Sequence, residues 1–363
     1  MRGLEDLRAV CSAPGKVILF GEHAVVYGHP AIATAVDLRT TVEVDRCGDR
    51  FTVNGFRIHE RYHSYLLKAV DLIWQDRDDP IRLQTEGGVP SASGTGSSAA
   101  LTVAAVGALH KLQGSTDLEA LAKAAYRVER ATQGGGSPTD TSASTAGGGI
   151  AIAGADRPPA MGEHLWTIEH EEKAWAVERL RMPELTVVVG NSGVRGRTDA
   201  QVAKVARAVA KNVVVRDALG EIGDITRDGA KALASGDLEA VGRLMDRNHG
   251  ALHTLGVNHP AVQKLVEAVR EAPGTLGAKI TGSGGGGSIL TLTENPKAAA
   301  AAVEAAGGTP YLVKLGGPGV DWEALRSEEL KAAMEQVAAT PLPADAEAAF
   351  GGAAEASEGA QQR

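Results

Sequence analysis

Cysteine is scarce in this 363-residue chain, which has two, Cys11 and Cys47. Two thiols form neither a disulfide framework nor the paired spacing of a metal knuckle, so a reducing cytoplasm is the expected compartment. Aromatic residues make up 4% of the chain, and the net charge is −8 with no basic stripe, which argues against a nucleic-acid partner. No apolar run reaches the roughly 18 residues that a membrane span requires, so no membrane partner is expected. Met1 to Val10 carries mixed charge and no apolar h-region, so no secretory signal is expected either. Two nucleotide fingerprints are also missing. The small-residue stretch 90–98 does not end in Gly-Lys-Ser/Thr, as a Walker-A loop does. Its Gly94-x-Gly96 lacks the third glycine of a dinucleotide turn.

Glycine, by contrast, is abundant: 45 residues, clustered at 134–136, 147–149 and 284–287. Such clusters bring backbone close to something. The length favours two domains. Residues 1–8 read as a loose leader, 9–184 as a first domain and 185–337 as a second. Residues 338–363, rich in Ala, Gly, Pro, Glu and Ser, read as a disordered tail. Strands are expected at Val17–Phe20, Thr41–Val44, Phe51–Val53, Ile81–Thr85, Leu185–Val189, Lys279–Thr281, Ser288–Leu292 and Tyr311–Leu315. Asn54-Gly55 signals a two-residue hairpin. Helices are expected at Ser64–Gln75, at Ala99–Leu112 (apolar on nearly every face), and after a capping box at Thr116–Glu119. More follow at Asp199–Val213, Leu238–Asn248, Pro260–Glu271 and Pro296–Ala306. Interleaved helices and strands make the second half an α+β layer structure.

Four polar stations lie among the glycines. Ala13-Pro14-Gly15-Lys16 reads as a turn presenting a lysine. Pro90-Ser91-Ala92-Ser93-Gly94-Thr95-Gly96-Ser97-Ser98 runs straight into an apolar helix. It is either a tight turn with a serine cap or an anion cradle at a helix N-terminus. Glu129 falls at the rim of a helix's core face, where spacing alone favours a solvated carboxylate. Residues 133–149, with Asp140 as their single acid, read as a functional loop. Together these stations suit phosphoryl transfer. Backbone donors would take the phosphates, and Ser98 and Glu129 would offer hard oxygens to Mg²⁺. Asp140 would serve as base, and Lys16 would stabilise charge.

At this point the chain resembles the GHMP kinases. The first motif of that family is similar to 13–16 with Gly21-Glu22-His23-Ala24-Val25-Val26-Tyr27-Gly28. The second is similar to Pro90–Ser98, and the third to Lys279-Ile280-Thr281-Gly282-Ser283-Gly284-Gly285-Gly286-Gly287. The resemblance covers about 9–330. It implies an α+β, two-domain fold, with an N-terminal half like ribosomal protein S5 domain 2 and a ferredoxin-like C-terminal half. ATP and a small-molecule substrate would meet in the cleft between them. It matches Lys16 and Asp140 to catalytic positions, Ser98 and Glu129 to magnesium ligands, and 90–98 to the ATP loop. Glu22, His23, Thr198, Ser283 and Gly284 match substrate-binding positions. The first motif and Ser137-Pro138-Thr139-Asp140 most resemble the archaeal branch, which implies mevalonate as substrate and its C5 hydroxyl as acceptor. Other kinases of the family, acting on phosphomevalonate, a sugar or homoserine, are the alternative. A ligand sensor on the same fold is more remote, since Lys16, Glu129 and Asp140 are all present. A homodimer is left open. The departures are Ala92 and Thr95 in the second motif, and Ser283 and Ser288 in and beside the third.

Overall fold

The computed structural model describes residues 8–324, apart from 47–49, 75, 77, 90–93 and 157–158. Most of the expected leader, all of the expected tail and the first four loop residues, Pro90 to Ser93, lie outside the described residues. The described chain is one compact unit.

Its backbone is organised on one long strand. β1 (Arg8–Phe20) pairs antiparallel along β2 (Ala31–Asp45). On its other edge β2 divides: Ala31–Thr34 pair with β6 (Gly149–Gly154), and Thr40–Asp45 pair with β5 (Arg82–Gly87). The Asn54-Gly55 hairpin forms as read, joining β3 (Thr52–Val53) to β4 (Phe56–Arg57), with both turn residues at positive φ. The segment 13–16 is no turn. It lies inside β1, where the register slips between Pro14 and Lys16. A bulge of this kind re-aims a side chain without ending the strand.

Three helices cover this sheet: α1 (Glu60–Ile73), α2 (Ser97–Leu112) and α3 (Leu118–Gln133). The cap of α3 is Asp117, whose carboxylate accepts from Ala120 N, and not Thr116. α2 is buried on almost every face, as its uniform apolarity requires. Two sequence readings need correction here. Residues 133–149 are not one loop, because α4 (Thr139–Ala146) forms within them. Three strands, β6, β7 (Glu163–His170) and β8 (Lys173–Leu180), follow in the spatial order β6-β8-β7, and β6 to β8 have no counterpart in the sequence reading.

The second half places β9 (Leu185–Asn191), β10 (Thr275–Thr281), β11 (Ser288–Thr293) and β12 (Thr309–Leu315) in the order β10-β11-β9-β12. Counted as four strands, the first and third are central and the second and fourth are the edges, which is the ferredoxin-like arrangement. α5 (Thr198–Lys211), α6 (Val213–Ser235), α7 (Leu238–Thr254) and α8 (Pro260–Arg270) are inserted after β9, and α9 (Pro296–Ala305) after β11. α6 is a long helix that the sequence reading missed. A single pairing, Leu315 with Val36, joins this sheet to β2.

Candidate active site

The site is built from the N-terminus of α2 outward. Gly96 is the residue before the helix, at φ +77°, and it brings no capping side chain. No acidic residue stands in the first turn. The serine-capped turn is therefore not what forms: Ser97 and Ser98 are already helical. The first N–H groups of α2 and the positive end of its dipole are left for an external anion. A Cβ on Gly96 would lie 2.9 Å from the Lys16 backbone nitrogen and Cγ, so glycine is needed for the lysine to pass. Thr95 O accepts the Lys16 N–H at 2.8 Å, which ties the loop to the bulge in β1. A Cβ on Gly94 would sit 2.9 Å from that of Ser288, so loop and third motif are in direct contact.

The bulge aims Lys16 inward. Its side chain is buried, and Nζ lies 2.8 Å from Asp140 Oδ2. Asp140 comes from the first turn of α4, and its side chain keeps 32% exposure, which leaves room for a reactant. Ser144, one turn further along α4, donates to Pro14 O at 2.7 Å and fixes the helix to the strand that carries Lys16. Glu129 is 5% exposed, so the solvated-rim reading of its position is overturned. Burial first, and then the charge of Asp140, push its carboxyl up to about 8, while Lys16 opposes the shift. A buried acid beside a second acid is a place where a cation is stabilised.

Thr198, Ser283, His23 and Glu22 meet at the other end. The Thr198 and Ser283 hydroxyls are 3.2 Å apart. His23 Nε2 lies 2.9 Å from Ser283 O. Burial holds the His23 imidazole below the usual histidine range, the bond to Ser283 opposing. Glu22 is 2% exposed. It forms an ion pair with Lys279 Nζ through Oε1 and accepts from Asn248 Nδ2 at 3.2 Å through Oε2. It is thus set into the wall of the site. Gly284, at φ +72°, packs a hypothetical Cβ 2.3 Å from Val257 O, and Gly285 N donates to that same carbonyl at 2.7 Å. Only glycine can follow that path.

Four residues given no role in the sequence reading stand in the site. Lys279 and Asn248 hold Glu22. Gln133 Nε2 donates to the Tyr65 hydroxyl at 2.9 Å and, more weakly, to Glu129 Oε1 at 3.4 Å. Tyr65 is also within reach of the Ser98 hydroxyl. The i, i+4 spacing of Glu129 and Gln133 was a usable signal; Asn248 and Tyr65 had none. Ser98, Glu129, Asp140 and Lys16 therefore share one neighbourhood, with the Glu22–His23–Thr198–Ser283 group between β1 and the 282–287 loop. The 147–149 glycines serve another purpose, since a Cβ on Gly147 would lie 2.0 Å from Gly319 N, where the chain crosses. Among the described residues no group of three or more His, Cys, Asp or Glu is placed to hold a metal.

An uncapped helix N-terminus, a lysine–aspartate pair and a glycine-rich loop lie together in this part of the fold. Residues 64–148 match the GHMP kinases N terminal domain, and residues 230–311 match the GHMP kinases C terminal domain. The chain belongs to the GHMP kinase family. It is similar to the mevalonate kinase of Pyrococcus furiosus, at 34% identity over 351 residues, covering 87% of this chain and 99% of that protein. It is also similar to that of Methanothermobacter thermautotrophicus, at 35% over 295 residues, covering 78% and 90%. Among solved structures, the L. major mevalonate kinase in complex with R-mevalonate superposes with a TM-score of 0.69. It has 23% identity and covers 88% of this chain and 99% of that one. Mevalonate kinase from Methanococcus jannaschii gives a TM-score of 0.69 at 24% identity, covering 85% and 98%.

Proposed function

We propose that this chain is an ATP-dependent mevalonate kinase, which transfers the γ-phosphoryl group of ATP to the C5 hydroxyl of mevalonate. Its place in metabolism is isoprenoid biosynthesis. The observation that carries the reading is the Lys16–Asp140 pair at 2.8 Å, set beside the open N-terminus of α2. The relatives' activity agrees with it.

In this reading the 90–98 loop and the first turn of α2 bind the triphosphate of ATP through backbone donors. Asp140 accepts the proton of the C5 hydroxyl, and Lys16 holds that carboxylate in place while offsetting charge on the phosphoryl oxygens. Ser98 and Glu129 suit Mg²⁺: both offer hard oxygens, and Glu129 is a buried acid whose hydrogen bond from Gln133, at 3.4 Å, is weak. When bound, the ion neutralises charge on the phosphate oxygens. His23, Thr198 and Ser283 orient the far end of the substrate, and Glu22 shapes that corner from behind.

A coupled ADP-release assay on mevalonate, phosphomevalonate, homoserine, galactose and shikimate tests the reading. Turnover with mevalonate alone is expected. Preferred turnover of another alcohol would overturn the substrate and leave the kinase.

A further inference from the structure

We propose that the buried triad Lys279–Glu22–Asn248 is the device that sets the substrate end of the site, with Lys279 and Asn248 acting as positioning residues. The proposal rests on the kinase reading above and adds to it residues that touch neither nucleotide nor the reacting atoms.

The three side chains come from distant parts of the chain: the turn after β1, α7 and β10. Lys279 has no exposed side-chain surface, Glu22 has 1% and Asn248 is fully buried. Lys279 Nζ also lies 3.5 Å from Ile18 O. Burying two charges costs free energy that well-packed apolar side chains would not, so stability alone does not explain the pair. What it touches does. Glu22 precedes His23, which sits at φ +62°, a conformation a non-glycine residue adopts only when its surroundings impose it. His23 in turn bonds Ser283 O, and the Ser283 hydroxyl reaches Thr198. Lys279 is on the strand that leads into the 282–287 loop, and Thr281 on that strand donates to Ile18 O at 3.1 Å. The pair therefore locks the corner after β1 to the strand that delivers Ser283. α7, tied to Glu22 through Asn248, is also tied directly to that strand, since Ile280 N donates to His249 Nδ1 at 3.3 Å. One side of the substrate wall is thus fixed to the other through charges that are themselves buried.

Three variants test this: Lys279→Met, Asn248→Leu, and the double variant Glu22→Gln with Lys279→Met. Lys279→Met strands a buried carboxylate and is expected to unfold at a lower temperature. It is also expected to raise KM for mevalonate about tenfold or more while KM for ATP stays within about twofold. Asn248→Leu leaves the charges paired, and a rise of about threefold in the same KM is expected. The double variant removes both charges and is expected to regain thermal stability without regaining mevalonate affinity. Recovery of wild-type KM in the double variant would overturn the proposal, leaving a structural ion pair. An equal rise in both KM values would do the same. Failure of the wild-type chain to turn over mevalonate, with turnover of another alcohol, would instead overturn the substrate reading. The same KM comparison would then be made with whichever alcohol it does accept.

Discussion

Asp140 and Glu129 are two acids in one neighbourhood with different surroundings. Asp140 keeps part of its surface and has Lys16 at 2.8 Å. Asp140→Asn keeps the shape and removes the proton acceptor. A fall in kcat of about 10²–10⁴-fold is expected, with nucleotide affinity nearly unchanged by calorimetry. Near-normal turnover would remove Asp140 as the base. Glu129 is buried, and its carboxyl is pushed up to about 8 from an ordinary 4.5. The folded chain therefore holds a proton there that the unfolded chain has lost. Stability from this group is present below about pH 4.5 and is lost as pH rises through about 8. Melting the metal-free protein between pH 6 and 9 should show Tm falling, and Glu129→Gln should flatten that fall. Equal slopes in the two proteins would argue against it. Lys16 and Asp140 were singled out in the sequence by the stretches that carry them, and Glu129 by the family resemblance, since its helical spacing alone favoured a solvated rim. The burial of Glu129 was not, because it depends on α1 and α4 closing over α3.

Among the elements, α4 departs furthest from the sequence reading. Thr139 to Ala146 is mostly Ser, Thr and Ala with an acid, a composition that competes with its own backbone and favours turns. It is helical because six of its eight residues, Thr139 and Thr141 to Thr145, are buried against neighbours. Tertiary packing overrode a weak local preference. The helix is what places Asp140 opposite Lys16, and Ser144 anchors it to Pro14. Ser144→Ala leaves that buried carbonyl unpaired. A loss of about 1–3 kcal/mol in urea unfolding is expected, with a drop in kcat as α4 loosens. A variant as stable and active as the parent would show that α4 needs no such anchor. The 13–16 bulge belongs to the same class. Pro-Gly reads locally as a turn, yet pairing with β2 on both sides keeps the strand going.

Across the whole described chain, β2 joins the halves. It pairs with β1 along its length, with β6 near one end and with β5 at the other, and it meets β12 at one position. After β12 the chain returns over the first half. Ser12 and Asp321 exchange backbone bonds at 2.8 Å, and Trp322 Nε1 donates to Gly107 O at 3.2 Å. Arg39 binds both sides of the crossing, donating to Ser12 Oγ and O and to Pro318 O and Gly319 O at 2.8 to 3.0 Å. Arg39→Ala is expected to destabilise the fold by about 1–3 kcal/mol, read as a lower urea midpoint, while KM values change little. An unchanged midpoint would show that the remaining bonds of the crossing hold it without Arg39. No helix among the described residues is long and apolar enough to cross a membrane.

Short-range chemistry was enough to read much of this protein from its residues alone. Apolar periodicity located most strands and helices, Asn54-Gly55 marked its hairpin, and three ordered glycine-rich motifs carried the family. These signals lie within a few residues of one another, so a linear chain displays them. Only the tertiary structure decided that α4 is a helix and that Glu129 is buried. It also decided that Glu22 faces Lys279 and Asn248, partners more than two hundred residues away. Burial, long-range pairing and charge desolvation arise when distant segments meet, and no local pattern records which segments those will be.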